Sequence, residues 1–121
     1  MASSAEPQRG TEAAVRHRRI AVLNDNFRTT FLGGRVLLTS GVADQPIDVM
    51  ARALVAVQSF TDFTADNDPH AERDFGAFEI DGRTFFWKID YYDQTCEFGS
   101  EDPANPEVTT RVLTIMLAEE Y

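Results

Sequence analysis

Cysteine, lysine and tryptophan are almost missing from this sequence, which has one residue of each: Cys96, Lys88 and Trp87. A single cysteine excludes a framework of internal disulfides and is typical of a protein in the reducing cytoplasm. No apolar run approaches the roughly 20 residues that are needed to span a membrane. The first residues also lack the basic and apolar segments of a signal peptide. We therefore expect a cytoplasmic protein whose 121 residues form a single domain.

Basic residues are scarce as well, since 11 of them face 20 acidic residues and leave a net charge of −9. The imbalance is concentrated in residues 61–107, where thirteen acids against three bases give −10, while residues 1–40 carry +3. Such an acidic segment repels nucleic acid and attracts basic protein surfaces. A protein partner is therefore expected, with no direct contact to nucleic acid or to a membrane. The alternative is that the acidic loops only keep a small protein in solution.

Catalytic motifs are also missing: there is no P-loop, no Gly-x-Ser-x-Gly elbow, no Gly-x-Gly-x-x-Gly and no His-Glu-x-x-His. His17 and His70 are far apart in the sequence, and both are interpreted as solvent-facing. The basic run that contains His17, residues 16–19, is interpreted as a solvated helix face rather than a nucleic-acid site. No catalytic residue and no cofactor are predicted. The alternative is a small enzyme that uses a pair of hairpin carboxylates.

In the loop that leads into the hairpin, polar residues recur at every second position, which raises the possibility of a metal site: Asp66, Asp68, His70, Glu72 and Asp74. An EF-hand loop that started at Asp66 would need glycine at its sixth position and glutamate at its twelfth. Ala71 and Ala77 stand there instead, so the EF-hand match fails. A looser metal site stays as an alternative to a polar, turn-rich loop, with these residues as ligands: Asp66, Asp68, His70 and Glu72.

The strongest local signal is a β-hairpin centred on Asp81-Gly82. This pair suits a type I′ turn, because glycine supplies a positive φ and aspartate tolerates one. A two-residue turn fixes the register, so that Gly76 lies opposite Trp87 and leaves room for the indole. One face of the hairpin then belongs to the core, with these side chains: Phe78, Ile80, Phe85, Trp87, Ile89 and Tyr91.

The other face of the hairpin mixes aromatic and charged residues. Full burial beside Glu79 and Lys88 would be costly, so we expect this face to be at least partly open. It is predicted to bind a partner protein, through Phe75, Phe86, Glu79, Asp90 and Asp93. Two alternatives remain: a helix or loop partly covers the face, or Phe75 and Phe86 form a homodimer contact.

The rest of the chain predicts three helices and one further strand. A stripe of Ile20, Leu23, Phe27 and Phe31 indicates a helix over 11–31 that ends at Gly33-Gly34. A buried strand follows over 35–40, then a helix over 46–60 with an apolar side of Ile47, Met50, Leu54 and Val57. Asn105-Pro106-Glu107 predicts the start of a last helix. The fold class is therefore α+β in the order α-β-α-β-β-α, a three-stranded, mainly antiparallel sheet with helices on one face. Residues 1–18 are predicted as a flexible tail and helix start, and residues 19–121 as the domain.

Three segments of the sequence are distinctive: RIAVLNDNFRTTF, DFGAFEIDGRTFFWKIDYYD and FGSEDPANPEVTTRVLTIMLAEEY. Over residues 19–121 the chain resembles a domain-of-unknown-function family of short acidic bacterial proteins. The resemblance implies an accessory role on plasmids and other mobile elements, and it brings no known functional residues. The sequence hypothesis is therefore a non-enzymatic, acidic protein-binding module. As an anti-defence protein it would act by DNA mimicry or by direct binding to a host protein.

Overall fold

The computed structural model describes residues 5–121, with side chains described from Thr11 onward. Residues 1–4 of the predicted tail lie outside this part. The elements follow in the order α1 (Ala5–Thr30), β1 (Gly34–Leu38), α2 (Ser40–Ala43), α3 (Ile47–Gln58), β2 (Phe75–Ile80), β3 (Arg83–Tyr92) and β4 (Thr110–Leu117). Single 3₁₀ turns span Pro106–Val108 and Ala118–Glu120. The strands form one sheet in the order β1-β4-β3-β2, in which β1 runs parallel to β4 and the other pairs are antiparallel.

The hairpin of β2 and β3 has the predicted register. Gly76 pairs with Trp87, Phe78 with Phe85 and Ile80 with Arg83. In the turn, Asp81 and Gly82 have φ values of 52° and 82°, as a type I′ turn requires. A Cβ atom on Gly76 would lie 2.3 Å from the indole nitrogen of Trp87, so glycine is needed for this close approach.

The helices α1, α2 and α3 pack on the sheet face that carries Trp87. Phe27 of α1, Val42 of α2 and Val57 of α3 join Trp87 in the buried core. The strands add further buried side chains to the same cluster: Ile80, Phe85, Ile89, Leu113, Ile115 and Leu117. The mixed α and β architecture is therefore confirmed.

The predicted last helix is wrong, because residues 110–117 form β4 in the middle of the sheet. The predicted start is present only as a single 3₁₀ turn, in which the Asn105 side chain accepts a hydrogen bond from the Glu107 amide. β4 is buried on both faces, so its apolar positions are nearly continuous and imitate a helical stripe. The sheet consequently has four strands rather than three, and one of its pairs is parallel.

Three smaller predictions also differ from the structure. β1 was expected in the buried middle of the sheet, but it is an edge strand that pairs with β4 alone. α1 begins at Ala5, earlier than expected, and the short α2 was not predicted. Ile47 was assigned to the core side of its helix, yet it is 81% exposed at the first position of α3. Helix ends are the parts that periodicity defines least well.

Gly82→Val is expected to lower the free energy of unfolding by about 1–3 kcal/mol, because a β-branched residue is forced to a positive φ. The glycine has nothing within 4 Å of a Cβ position, so the loss would come from the backbone alone. Chemical denaturation measures it. Gly99→Val is the matched control, since Gly99 has no positive φ and its Cβ would meet ordinary contacts. Equal effects of the two variants would contradict the turn.

Candidate functional site

The sheet face opposite the helices is the first candidate site, and we call it the outer face. Alternation along the strands places on it Phe86, Lys88, Asp90 and Tyr92 of β3, Val112, Thr114 and Met116 of β4, Arg35 and Leu37 of β1, and Phe75, Ala77 and Glu79 of β2. No helix of the described part of the chain packs on this face. The C-terminal residue Tyr121 lies against its aromatic residues and is itself 75% exposed.

Two of the predicted contact residues, Phe75 and Phe86, form an aromatic cluster with Tyr121. The ring centroids of Phe75 and Phe86 are 5.2 Å apart, and Tyr121 lies 5.6 Å from Phe86 and 6.1 Å from Phe75. Both phenylalanines remain half-buried rather than enclosed. Tyr121 was not among the predicted contacts, because a helix was predicted in place of β4, the strand that precedes it.

The three predicted carboxylates have different environments. Glu79 is exposed at the edge strand β2. Asp90 forms an ion pair with Lys88, with 3.0 Å between Oδ2 and Nζ, and this contact raises the pKa of Lys88 above its ordinary value. Asp93 lies just beyond β3, where hydrogen bonds from the Thr95 hydroxyl and nearby amides lower its pKa. Glu79 is therefore the free carboxylate of the three, while Asp93 shapes its own loop.

The middle of the outer face is concave and holds a depression of about 540 Å³. Val112 and Met116 of the central strand β4 contribute apolar side chains to its lining, and both are buried by their neighbours. Polar side chains line it as well, among them Thr114, Arg35 and the ion pair of Lys88 and Asp90. Apolar and polar groups side by side are typical of a protein contact surface.

The predicted metal ligands do not come together in the structure. Among the described residues, no three side chains of His, Cys, Asp or Glu form a group that could hold a metal ion. Asp68 is buried, and its carboxylate accepts hydrogen bonds from the amides of Glu72 and Arg73. His70 stacks on the other histidine, and Asp66 is exposed in the turn. The loop uses its polar residues mainly to hold its own shape.

A second candidate site lies on the helical side, where a polar network links α1 to the loop before β2. The Glu72 carboxylate accepts hydrogen bonds from His17 at 2.8 Å and from the Tyr91 hydroxyl at 3.1 Å. Asn24, fully buried in α1, donates to the Tyr91 oxygen and accepts from Arg111. Burial raises the pKa of Tyr91 and lowers that of Arg111. Partners on three elements therefore satisfy these buried polar groups.

Beside this network is an open cavity of about 690 Å³, here called the α1–loop cavity. Its lining comes from α1 and from the loop that precedes β2, and comprises Ala14, His17, Arg18, Ala21, Val22, Asp25, Pro69, His70, Ala71 and Arg73. The rings of His17 and His70 stack with centroids 5.9 Å apart. The two histidines were interpreted as far apart, and the structure corrects this; His70 is exposed, as expected, and His17 is half-buried. The two histidines are 53 positions apart in the sequence, so their contact could not be predicted before the position of the loop was known.

In a comparison with protein families, residues 38–120 match a family model that is described as a protein of unknown function (DUF3768). The chain belongs to this family. The match begins at the last residue of β1 and covers α2, α3 and the strands β2, β3 and β4, whereas α1 and the rest of β1 precede it. No curated protein and no solved structure matches the chain significantly. In the described residues, no helix combines the length and the apolar character that crossing a membrane requires.

Proposed function

We propose that the chain is a non-enzymatic protein-binding module whose outer face receives a basic partner protein. The observation that carries the proposal is a sheet face without a helix layer in the described residues, on which Phe75, Phe86 and Tyr121 still form an aromatic cluster. Aromatic residues at the centre of a contact surface supply most of its binding energy. Here they lie beside an apolar depression, so one partner can cover both.

The charge of the surroundings favours a basic partner. Glu79 lies on the outer face and Asp93 directly follows β3, on a chain whose net charge is −9. Opposite charges around an apolar contact accelerate association and set specificity more than affinity. Within this proposal, a DNA-binding or defence protein of the host is the narrower candidate, because such proteins present basic surfaces.

Direct contact is better supported than mimicry of DNA phosphates. Mimicry would need free carboxylates at the spacing of duplex phosphates, about one charge per 1.7 Å of axis. Several acids in the chain are already used internally: Asp25, Asp68, Glu72, Asp81, Asp90 and Glu119. An interface of this mixed kind should lose only part of its affinity in high salt, whereas a phosphate mimic should lose nearly all of it.

Phe86→Ser is expected to weaken partner association at least tenfold while lowering stability by only about 1 kcal/mol, because the ring is half-buried. Pull-down from host extract, followed by titration of the retained protein, measures the first effect, and thermal unfolding measures the second. Phe98→Ser is the matched control, since Phe98 is 70% exposed in a loop. A large loss of stability with association unchanged would place Phe86 in the core and reject the proposal.

Size-exclusion mass separates a foreign partner from a second copy of the chain. The homodimer alternative predicts a dimer for the wild type and a monomer for Phe86→Ser at the same concentration. A wild-type monomer that retains a basic host protein supports the proposed module. A wild-type dimer that retains no host protein would assign the outer face to self-association instead.

A further inference from the structure

We propose that the α1–loop cavity binds a small organic phosphate, with the phosphate held by Arg18 and an apolar body lying against α1. The cavity of about 690 Å³ falls in the range of small-molecule sites. It lies on the helical side of the sheet, opposite the outer face. The inference is therefore independent of the proposed protein partner.

The lining divides into an apolar part and a basic part. Ala14, Ala21 and Val22 form a smooth strip along α1, and Pro69 with Ala71 faces it from the loop. Around this apolar part stand two arginines and the stacked pair of imidazoles. Small apolar surfaces accept a planar or aliphatic body, while arginine and histidine donate hydrogen bonds to phosphate oxygens.

Carboxylates near the cavity are already occupied by protein donors. Asp25, the one carboxylate among the described residues of the lining, accepts from Arg28 through Oδ1 and from Arg73 through Oδ2, both at 2.9 Å. Glu72 next to it accepts from His17 and Tyr91. Arg18, in contrast, makes no hydrogen bond or ion pair with the described residues. A cationic group is therefore available, on a chain with a net charge of −9.

The loop reaches this position through two unfavourable backbone conformations. Ala71 and Arg73 have φ values of 56° and 57°, in the left-handed region that non-glycine residues rarely adopt. The buried Asp68 carboxylate holds this segment by accepting from the amides of Glu72 and Arg73. Such strained residues cluster at ligand sites, where the surrounding structure maintains them. Ala71 and Arg73 both belong to the cavity lining.

Phenyl phosphate is the probe, titrated by calorimetry and by amide NMR shifts of Ala21 and Val22. We expect saturable binding, with inorganic phosphate at least about tenfold weaker because it lacks the apolar body. Arg18→Gln should weaken binding of phenyl phosphate at least about fivefold. Arg19→Gln is the control, because Arg19 is the neighbouring exposed arginine on α1 and is not part of the cavity lining.

Both arginines are exposed, so both variants should melt at the wild-type temperature, and any difference in binding reports on the site. Absence of saturable binding to the wild type would overturn the proposal. Equal weakening by Arg18→Gln and Arg19→Gln would also overturn it, because that result describes general attraction to a basic helix face. Loss of phosphate binding would leave the outer face and its protein partner unaffected.

Discussion

Trp87→Ala is expected to lower the free energy of unfolding by about 3–5 kcal/mol, since replacing a large core aromatic leaves a cavity. Trp87 is completely buried, with Phe60 and Phe63 packed edge-on at 5.6 and 6.0 Å and the Arg28 guanidinium 5.4 Å from its ring. A loss of this size is a large share of the 5–15 kcal/mol that stabilises a typical domain. Urea denaturation measures the loss.

Trp87→Phe is the control for this prediction. It keeps an aromatic ring and removes the indole N–H, which has no hydrogen-bond partner among the described residues. The loss should be clearly smaller than for alanine, because part of the cavity is filled and an unsatisfied donor disappears. Fluorescence of the single tryptophan should be blue-shifted in the folded wild type. Emission like that of free indole in water, with an alanine variant as stable as wild type, would contradict the burial.

The hairpin around Trp87 could be predicted in detail because all of its information is local. Asp81-Gly82 sets the turn, the turn sets the register, and the register assigns each side chain of residues 75–91 to one of two faces. Phe75 and Phe86 on one side and Trp87 on the other follow without any knowledge of the remaining chain. The residues of the candidate partner surface could therefore be predicted from the sequence.

β4 could not be predicted in the same way, because its neighbours come from distant segments. Val112, Ile115 and Met116 are apolar on both faces of a central strand, and such a run fits a helix equally well by spacing. The β-branched residues Thr110, Val112, Thr114 and Ile115 were the available signal for a strand. Misassigning this one element removed a strand and hid the parallel pair with β1.

The α1–loop cavity was missed for a related reason. The buried face of α1 includes Asn24 and Arg28 beside Ile20 and Phe27, so polar residues interrupt the apolar stripe. Their partners, Tyr91, Arg111 and the end of α3, lie 29 to 87 positions away in the sequence. A single sequence does not show which polar residue of a helix has a buried partner. Only the assembled fold supplies that information.

Arg28→Ala is expected to lower the free energy of unfolding by about 3–5 kcal/mol, because the variant loses a buried side chain and leaves the acceptors of its guanidinium unpaired. Arg28 is 3% exposed and donates to Asp25 at 2.9 Å and to the carbonyls of Val57 and Gln58 at 2.9 and 3.3 Å. Those carbonyls lie at the C-terminal end of α3, and the last turn of this helix contains no basic residue of its own. The variant would leave them unpaired and would open space beside Trp87.

Two further variants decide whether burial is the cause of this loss. Arg52→Ala removes an equally well-formed pair, with Asp81 at 3.1 Å, but that pair is exposed and screened by water, so its removal should cost far less. Arg28→Lys keeps the charge but lacks the planar guanidinium that reaches three acceptors. Its free energy of unfolding should therefore lie between those of wild type and Arg28→Ala. Urea denaturation of the three variants at one pH gives the order. Equal losses for Arg28→Ala and Arg52→Ala would show that Arg28 does not hold the end of α3 against α1.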